Sequence, residues 1–159
     1  MLPLITALLI AIAAAGVPLQ GLDVDELAQY RLTTAVFMQF QAASRSIGAA
    51  TRDDPAFALD PLFTREIVSS GDAVAAATAL ESRLQAHPAL AAARRAAKLA
   101  AREYTKFALA VFGARLANGF VKTGVLRRVP DGAAAENLAF VQVHETEITA
   151  LLAGLGIDG

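Results

Sequence analysis

Residues 88–118 read PALAAARRAAKLAAREYTKFALAVFGARLAN, and this stretch decides the fold. It has no internal proline and consists almost wholly of strong helix formers, alanine above all. Indexed as a helix, Tyr104, Phe107, Ala108, Val111 and Ala114 fall on one arc, and Leu109, Phe112, Leu116 and Phe120 on the next. Arg102, Glu103, Lys106 and Gly113 share what remains. A helix apolar around about two thirds of its circumference must be enclosed by other elements. The stretch therefore predicts the central helix of an all-α domain. As one rod it would measure roughly 45 Å at the helical rise, against a diameter near 37 Å for a compact domain of about 140 residues. A break is expected near Lys98–Ala101, splitting off a short helix with Arg94, Arg95 and Lys98 on a solvated flank.

The flanking segments supply the partners. Upstream, Leu22–Arg31 suits a lead-in turn or short helix. Thr33 or Thr34 can then cap a helix carrying Val36, Phe37, Phe40, Ala43 and Ile47 inward, with Gly48 as its stop. Residues 49–61 are loop-like. The pairs Asp54-Pro55 and Asp60-Pro61 each suit an N-cap followed by a first helical position, and a short helix is expected through Leu62, Phe63, Ile67 and Val68. Gly71-Asp72 punctuates and caps the next helix, with Ala73, Ala76, Ala77, Leu80 and Leu84 inward. It ends at His87-Pro88, since a residue before proline is biased out of the α region. Downstream, Gly119, Gly124 and the turn Val129-Pro130-Asp131-Gly132 close the central region. A final helix Ala133–Leu152 follows, with Leu138, Val141, Ile148, Leu151 and Leu152 inward. No run alternates with period two for long enough to be a strand. Residues 22–159 are expected to form a single domain, an antiparallel helical bundle of about four main helices plus one or two short ones.

The first 22 residues carry no charged side chain. Residues 4–15 have the length of a signal-peptide apolar region, and Ala13-x-Ala15 offers a small-residue cleavage site. A membrane-spanning helix needs about 20 apolar residues, and Gly16, Pro18, Gln20 and Gly21 interrupt the run first. Residues 1–21 are read as a signal peptide or membrane anchor. Asp23, Asp25 and Glu26 follow with no basic residue before Arg31, which favours an extracytoplasmic location for the domain. The expectation is an exported protein, periplasmic, either soluble or anchored to the cytoplasmic membrane.

Composition narrows the chemistry. A net charge of −1 gives no electrostatic footprint for nucleic acid. The absence of cysteine excludes disulfides, thiolate catalysis, thiolate-bound zinc, iron–sulfur clusters and a covalent c-type haem. Hydrolase, phosphate-loop, zinc-protease and dinucleotide signatures are missing from the sequence. Asp53-Asp54 read as helix caps rather than as an acid/base pair.

Three features remain. His144 lies on the apolar stripe Asn137, Val141, His144, Ile148, Leu151, with Glu147 three residues on. That makes it a candidate cofactor ligand, for instance to a non-covalent haem with Met38. The di-iron pattern of paired Glu-x-x-His motifs is absent, so no metal or cofactor is assigned. Arg115 falls within the apolar arc of the central helix and should find a carboxylate or a carbonyl, with Glu145 or Glu147 as the candidates, or else bind an anion or a lipid head group. Finally, basic residues cluster between Arg83 and Arg128, while the segment after Pro130 has neither lysine nor arginine. This dipolar layout suits a protein partner at a membrane, with anionic lipid contact as a further option. The sequence thus reads as a non-catalytic accessory or scaffolding subunit on the periplasmic side of a membrane complex. The alternatives are a periplasmic bundle binding haem, a metal or a small apolar ligand, and an enzyme with an unrecognised site.

Overall fold

The computed structural model describes residues 24–52 and 73–157. The apolar N-terminal segment and the helix expected through residues 62–68 lie outside them. The chain is all-α. Among the described residues there are seven helices and no strand: α1 (Val24–Ala28), α2 (Thr34–Thr51), α3 (Ala73–Ala86), α4 (Pro88–Ala96), α5 (Ala101–Lys122), α6 (Ala133–Val143) and α7 (Glu145–Gly154). Helix α5 is the central one, touched by α1, α2, α3, α4 and α6, whereas α7 packs on α2 and α6. Its predicted inner arc is buried throughout, and its second arc is half-buried. Phe107, fully enclosed, lies 4.9 Å from the ring of Phe40, 6.0 Å from Phe37 and 6.3 Å from Phe140, centroid to centroid.

The long helical stretch breaks where its length required, between Ala96 and Ala101. The amide of Leu99 donates to the Arg94 carbonyl (3.0 Å) and that of Lys98 to Arg95 (3.0 Å), the paired bonds of a Schellman cap. Lys98 therefore takes the left-handed position, φ 55°, that glycine usually fills. A side chain there costs about 1 kcal/mol. Lys98→Gly is expected to raise stability by about that amount and the melting temperature by roughly 2–4 °C, measurable by thermal unfolding.

Arg94 departs from the expected solvated flank. It is buried, with Nε donating to the Leu84 carbonyl (3.4 Å) and Nη1 to the Leu99 carbonyl (3.1 Å). The guanidinium thus serves carbonyls left free near the end of α3 and at the α4–α5 break. Desolvation by burial lowers its pKa, and neighbouring Arg95 adds to the effect.

Two other boundaries differ from the sequence expectation. Gly48 does not stop α2, which runs on to Thr51. It is glycine because α7 passes over it: a Cβ at position 48 would stand 2.7 Å from the Gly154 carbonyl oxygen. The final helix is two helices, since His144 leaves helical geometry (φ −103°, ψ 18°) between α6 and α7. The apolar stripe continues in phase across this kink, from Val141 to Ile148, so periodicity alone could not reveal it. The acidic first turn of α7, Glu145 and Glu147, is the local helix-start signal.

The buried side chains of Ser44, Arg94, Asn118 and Asn137 are all hydrogen-bonded. Tyr104 Oη and Ser44 Oγ share a hydrogen bond of 2.9 Å, and burial pushes the phenol pKa up to about 12. The Thr105 hydroxyl is fully buried and has no hydrogen-bond partner among the described residues. An unmade buried hydrogen bond costs about 1–3 kcal/mol. Thr105→Val, close in shape and without the hydroxyl, is expected to stabilise by about 1 kcal/mol in urea unfolding.

Candidate functional site

Two arrangements stand out: a clasp that fixes the start of the domain, and a cleft between α2 and α7. The clasp begins at α1. Its Glu26 carboxylate receives Arg102 Nη2 at 2.6 Å and Lys106 Nζ at 3.0 Å, both from the first turns of α5. Lys106 Nζ also meets Glu103 Oε2 at 3.0 Å and stands 5.1 Å from the centre of the Tyr30 ring. Tyr30 Oη donates to Glu103 Oε1 at 2.5 Å. Burial, reinforced by that carboxylate, holds the Tyr30 phenol well above its ordinary pKa, so it stays a donor.

The chain then passes without regular secondary structure from Tyr30 to Thr33 beside α6. There the buried Asn137 amide takes the place of a second strand. Its Oδ1 accepts the Leu32 amide (2.8 Å), and its Nδ2 donates to the Tyr30 carbonyl (2.8 Å). Arg31 Nε adds a surface pair with Glu136 Oε2 at 2.6 Å. Residues 26–32 are thereby attached to two separate helices by side chains that an ordinary linker would not need.

The hydrogen bonds from Arg102 and then Lys106 hold the Glu26 pKa below its ordinary 4.5, against the opposing pull of burial. Burial lowers the Lys106 pKa, but the bonds to Glu103 and Glu26 outweigh it and the net shift is upward. A depressed carboxylate contributes stability above its unfolded pKa and loses it as pH falls through the folded value. A raised lysine contributes below its unfolded pKa and loses it as pH rises through the folded one. The clasp should therefore be strongest from above the ordinary carboxylate range up to the ordinary lysine pKa of 10.5. Glu26→Gln is expected to cost about 1 kcal/mol or less, because the pair is partly exposed. It should also flatten the acid side of a stability-against-pH curve measured by thermal unfolding.

The cleft lies where α7 crosses α2 and has a volume of about 720 Å³. Arg45 and Arg52 line it from α2, and Thr146 and Glu147 from α7, with Gly48 and Gly154 among the lining residues at the crossing. Both arginines are exposed, and their guanidinium groups form no hydrogen bond or ion pair among the described residues. Glu147 is occupied by its own neighbours: His144 Nδ1 stands at 3.3 Å and Gln41 Nε2 at 3.5 Å from its Oε2.

Of the residues singled out in the sequence, Glu147 lines the cleft and the others end up elsewhere. His144 lies at the α6–α7 kink, its ring 4.5 Å from Phe140 and 5.0 Å from Phe37, with Nδ1 engaged by Glu147. Met38, proposed beside it, is 65% exposed. No group of three or more potential metal ligands occurs among the described residues. Arg115 is half-buried and forms no ion pair among the described residues, so the expected bridge to Glu145 or Glu147 is not made. Glu145 instead receives Lys122 Nζ at 2.7 Å. A long arginine can lay its stem along the apolar arc and keep its head in water, and position within the arc alone did not require a bridge. The dipolar charge layout is also partly closed internally, since Lys122–Glu145 joins the basic segment to the acidic one.

Sequence reasoning missed Glu26 and Tyr30 in the clasp and Arg45 and Arg52 in the cleft. For Asn137 a signal was present: an amide on an inward stripe has to be satisfied by something. Comparison with protein-family models, with curated proteins and with solved structures found no match. The function has to be read from the residues themselves.

Proposed function

We propose that this chain is an exported helical module held next to a membrane, where it serves as a non-catalytic accessory or scaffolding subunit of a membrane complex. In this reading residues 1–21 are the export signal or anchor, and the helices form an antiparallel bundle on the periplasmic side. The observation that carries it is the clasp. The segment directly after the apolar N-terminus is fixed to α5 and α6 by Glu26, Tyr30 and Asn137. A domain meant to float on a tether has no use for such attachment, whereas one presented at a set height and orientation does. The partner is a protein in or at the membrane, and the exposed basic residues of the Arg83–Arg128 region suit an acidic partner surface or anionic lipid.

Intact mass of native material, with migration on a native gel after gentle solubilisation of membranes, tests the reading. Co-migration with a larger membrane assembly is the expected result. A lone monomer in the soluble fraction, with a mass lacking residues 1–15, would overturn the accessory role. The second reading, a ligand-binding bundle, is favoured by the α2–α7 cleft rather than by His144. An absorption spectrum and metal content of the same material test its haem and metal versions.

A further inference from the structure

We propose that the cleft between α2 and α7 binds a small ligand through a phosphate group that carries a hydrogen-bond donor nearby, as in a glycerol phosphate. Arg45 and Gly48 of α2 and its C-cap Arg52, still in right-handed helical conformation, stand at positions i, i+3 and i+7 and so share one face. Two turns separate the arginines, about 10 Å along the axis, a distance that two guanidinium groups can close around one anion. Between them the cleft is lined by the small residues Ala49, Ala150 and Gly154, with Gly48 at its floor where the α7 backbone closes over α2. The volume falls within the range of small-molecule sites, about 300–1,000 Å³.

Exposed arginines without partners are ordinary on a surface, and alone they would indicate nothing. Here a carboxylate lines the same cleft and still neutralises neither. Glu147 Oε2 is engaged by Gln41 and His144, and neither arginine forms an ion pair with it. Guanidinium groups match phosphate oxygens in bidentate geometry, and two of them balance the charge of a phosphate monoester better than that of a single carboxylate. With Oε2 held by Gln41 and His144, the second oxygen of Glu147, Oε1, is left to accept from a hydroxyl or ammonium next to the phosphate. Free phosphate esters and phospholipid headgroups both present this chemistry. The inference does not rest on the membrane-side reading, and its failure would leave the co-migration result unaffected.

Modification of the full chain by an arginine-selective dicarbonyl, mapped residue by residue by mass spectrometry, tests it. Glycerol 3-phosphate should slow the reaction of Arg45 and Arg52 about tenfold relative to chloride at equal ionic strength. Arg95 and Arg127, exposed elsewhere, should react unchanged. Arg45→Gln, at an exposed position, should leave thermal unfolding unchanged and abolish the protection of Arg52. Equal protection of all four arginines, or none at Arg45 and Arg52 with either soluble ester or vesicles, would overturn the proposal. Vesicles of phosphatidylglycerol, compared with phosphatidylcholine, separate the sources. Protection by the anionic vesicles alone assigns a lipid headgroup, and protection by the soluble ester alone assigns a free phosphate compound.

Discussion

Phe107→Ala is expected to lower the unfolding free energy by about 3–5 kcal/mol, the range for removing a fully buried phenylalanine. Phe107 has no exposed surface, and its ring meets Phe37, Phe40 and Phe140, so a single truncation opens a void facing α2 and α6 together. These walls belong to different helices and cannot close in without shifting α2 against α5. Domains of this kind are stable by only about 5–15 kcal/mol, and the variant should lose a large share of that. Urea unfolding followed by far-ultraviolet dichroism gives the value, with the slope checked for constancy. A loss under about 1 kcal/mol would show that the aromatic cluster is not the packing centre. Phe120, half-buried near the end of α5, should cost less when truncated in the same way.

The second large effect is expected at Gly48. A Cβ there would lie 2.7 Å from the Gly154 carbonyl oxygen, a backbone atom that cannot rotate aside. Gly48→Ala should therefore destabilise by about 1–3 kcal/mol despite the better helix propensity of alanine, and Gly48→Val by more. Gly154, at the other side of the same contact, has nothing within 4 Å of its own virtual Cβ. Gly154→Ala should change stability by under about 0.5 kcal/mol. Two glycines at one crossing with opposite outcomes would establish which helix makes the close approach. If both substitutions prove neutral, the α2–α7 contact is looser than described.

Much of the architecture was legible because period and length are physical constraints visible in a sequence. The arc from Tyr104 to Ala114 is buried as indexed, and Thr33 caps α2 with its hydroxyl, accepting the Val36 amide at 3.4 Å. The break after Ala96 followed from geometry against local propensity, because alanine-rich sequence would happily continue the helix. What could not be read were decisions made by another part of the chain. Gly48 looked like a stop, since nothing within ten residues says that α7 will lie across it. The kink at His144 keeps the apolar stripe in phase and so leaves no mark on the pattern. Arg94 looked solvated because the carbonyls it serves belong to a preceding helix end and a break. The clasp joins residues 73 to 107 positions apart, and charged residues do not announce their partners over such distances.

The Asn137 amide has one more implication, for the order in which the molecule can be assembled. Leu32 and its acceptor are 105 residues apart, as are Arg31 and Glu136, and Gln41 reaches Glu147 across 106. A chain emerging amino-terminus first can pair Glu26 and Tyr30 with α5 once that helix is out, but Arg31 and Leu32 stay unattached until α6 follows, because the loop has to be closed before the contact gives anything back. Helices α3 to α5 can pair with one another while synthesis is still under way, but the first and last portions meet only afterwards. This protein should thus remain vulnerable to proteolysis near residues 31–33 until α6 arrives, and pulse-labelled chains truncated before Asn137 should stay more sensitive there than longer ones.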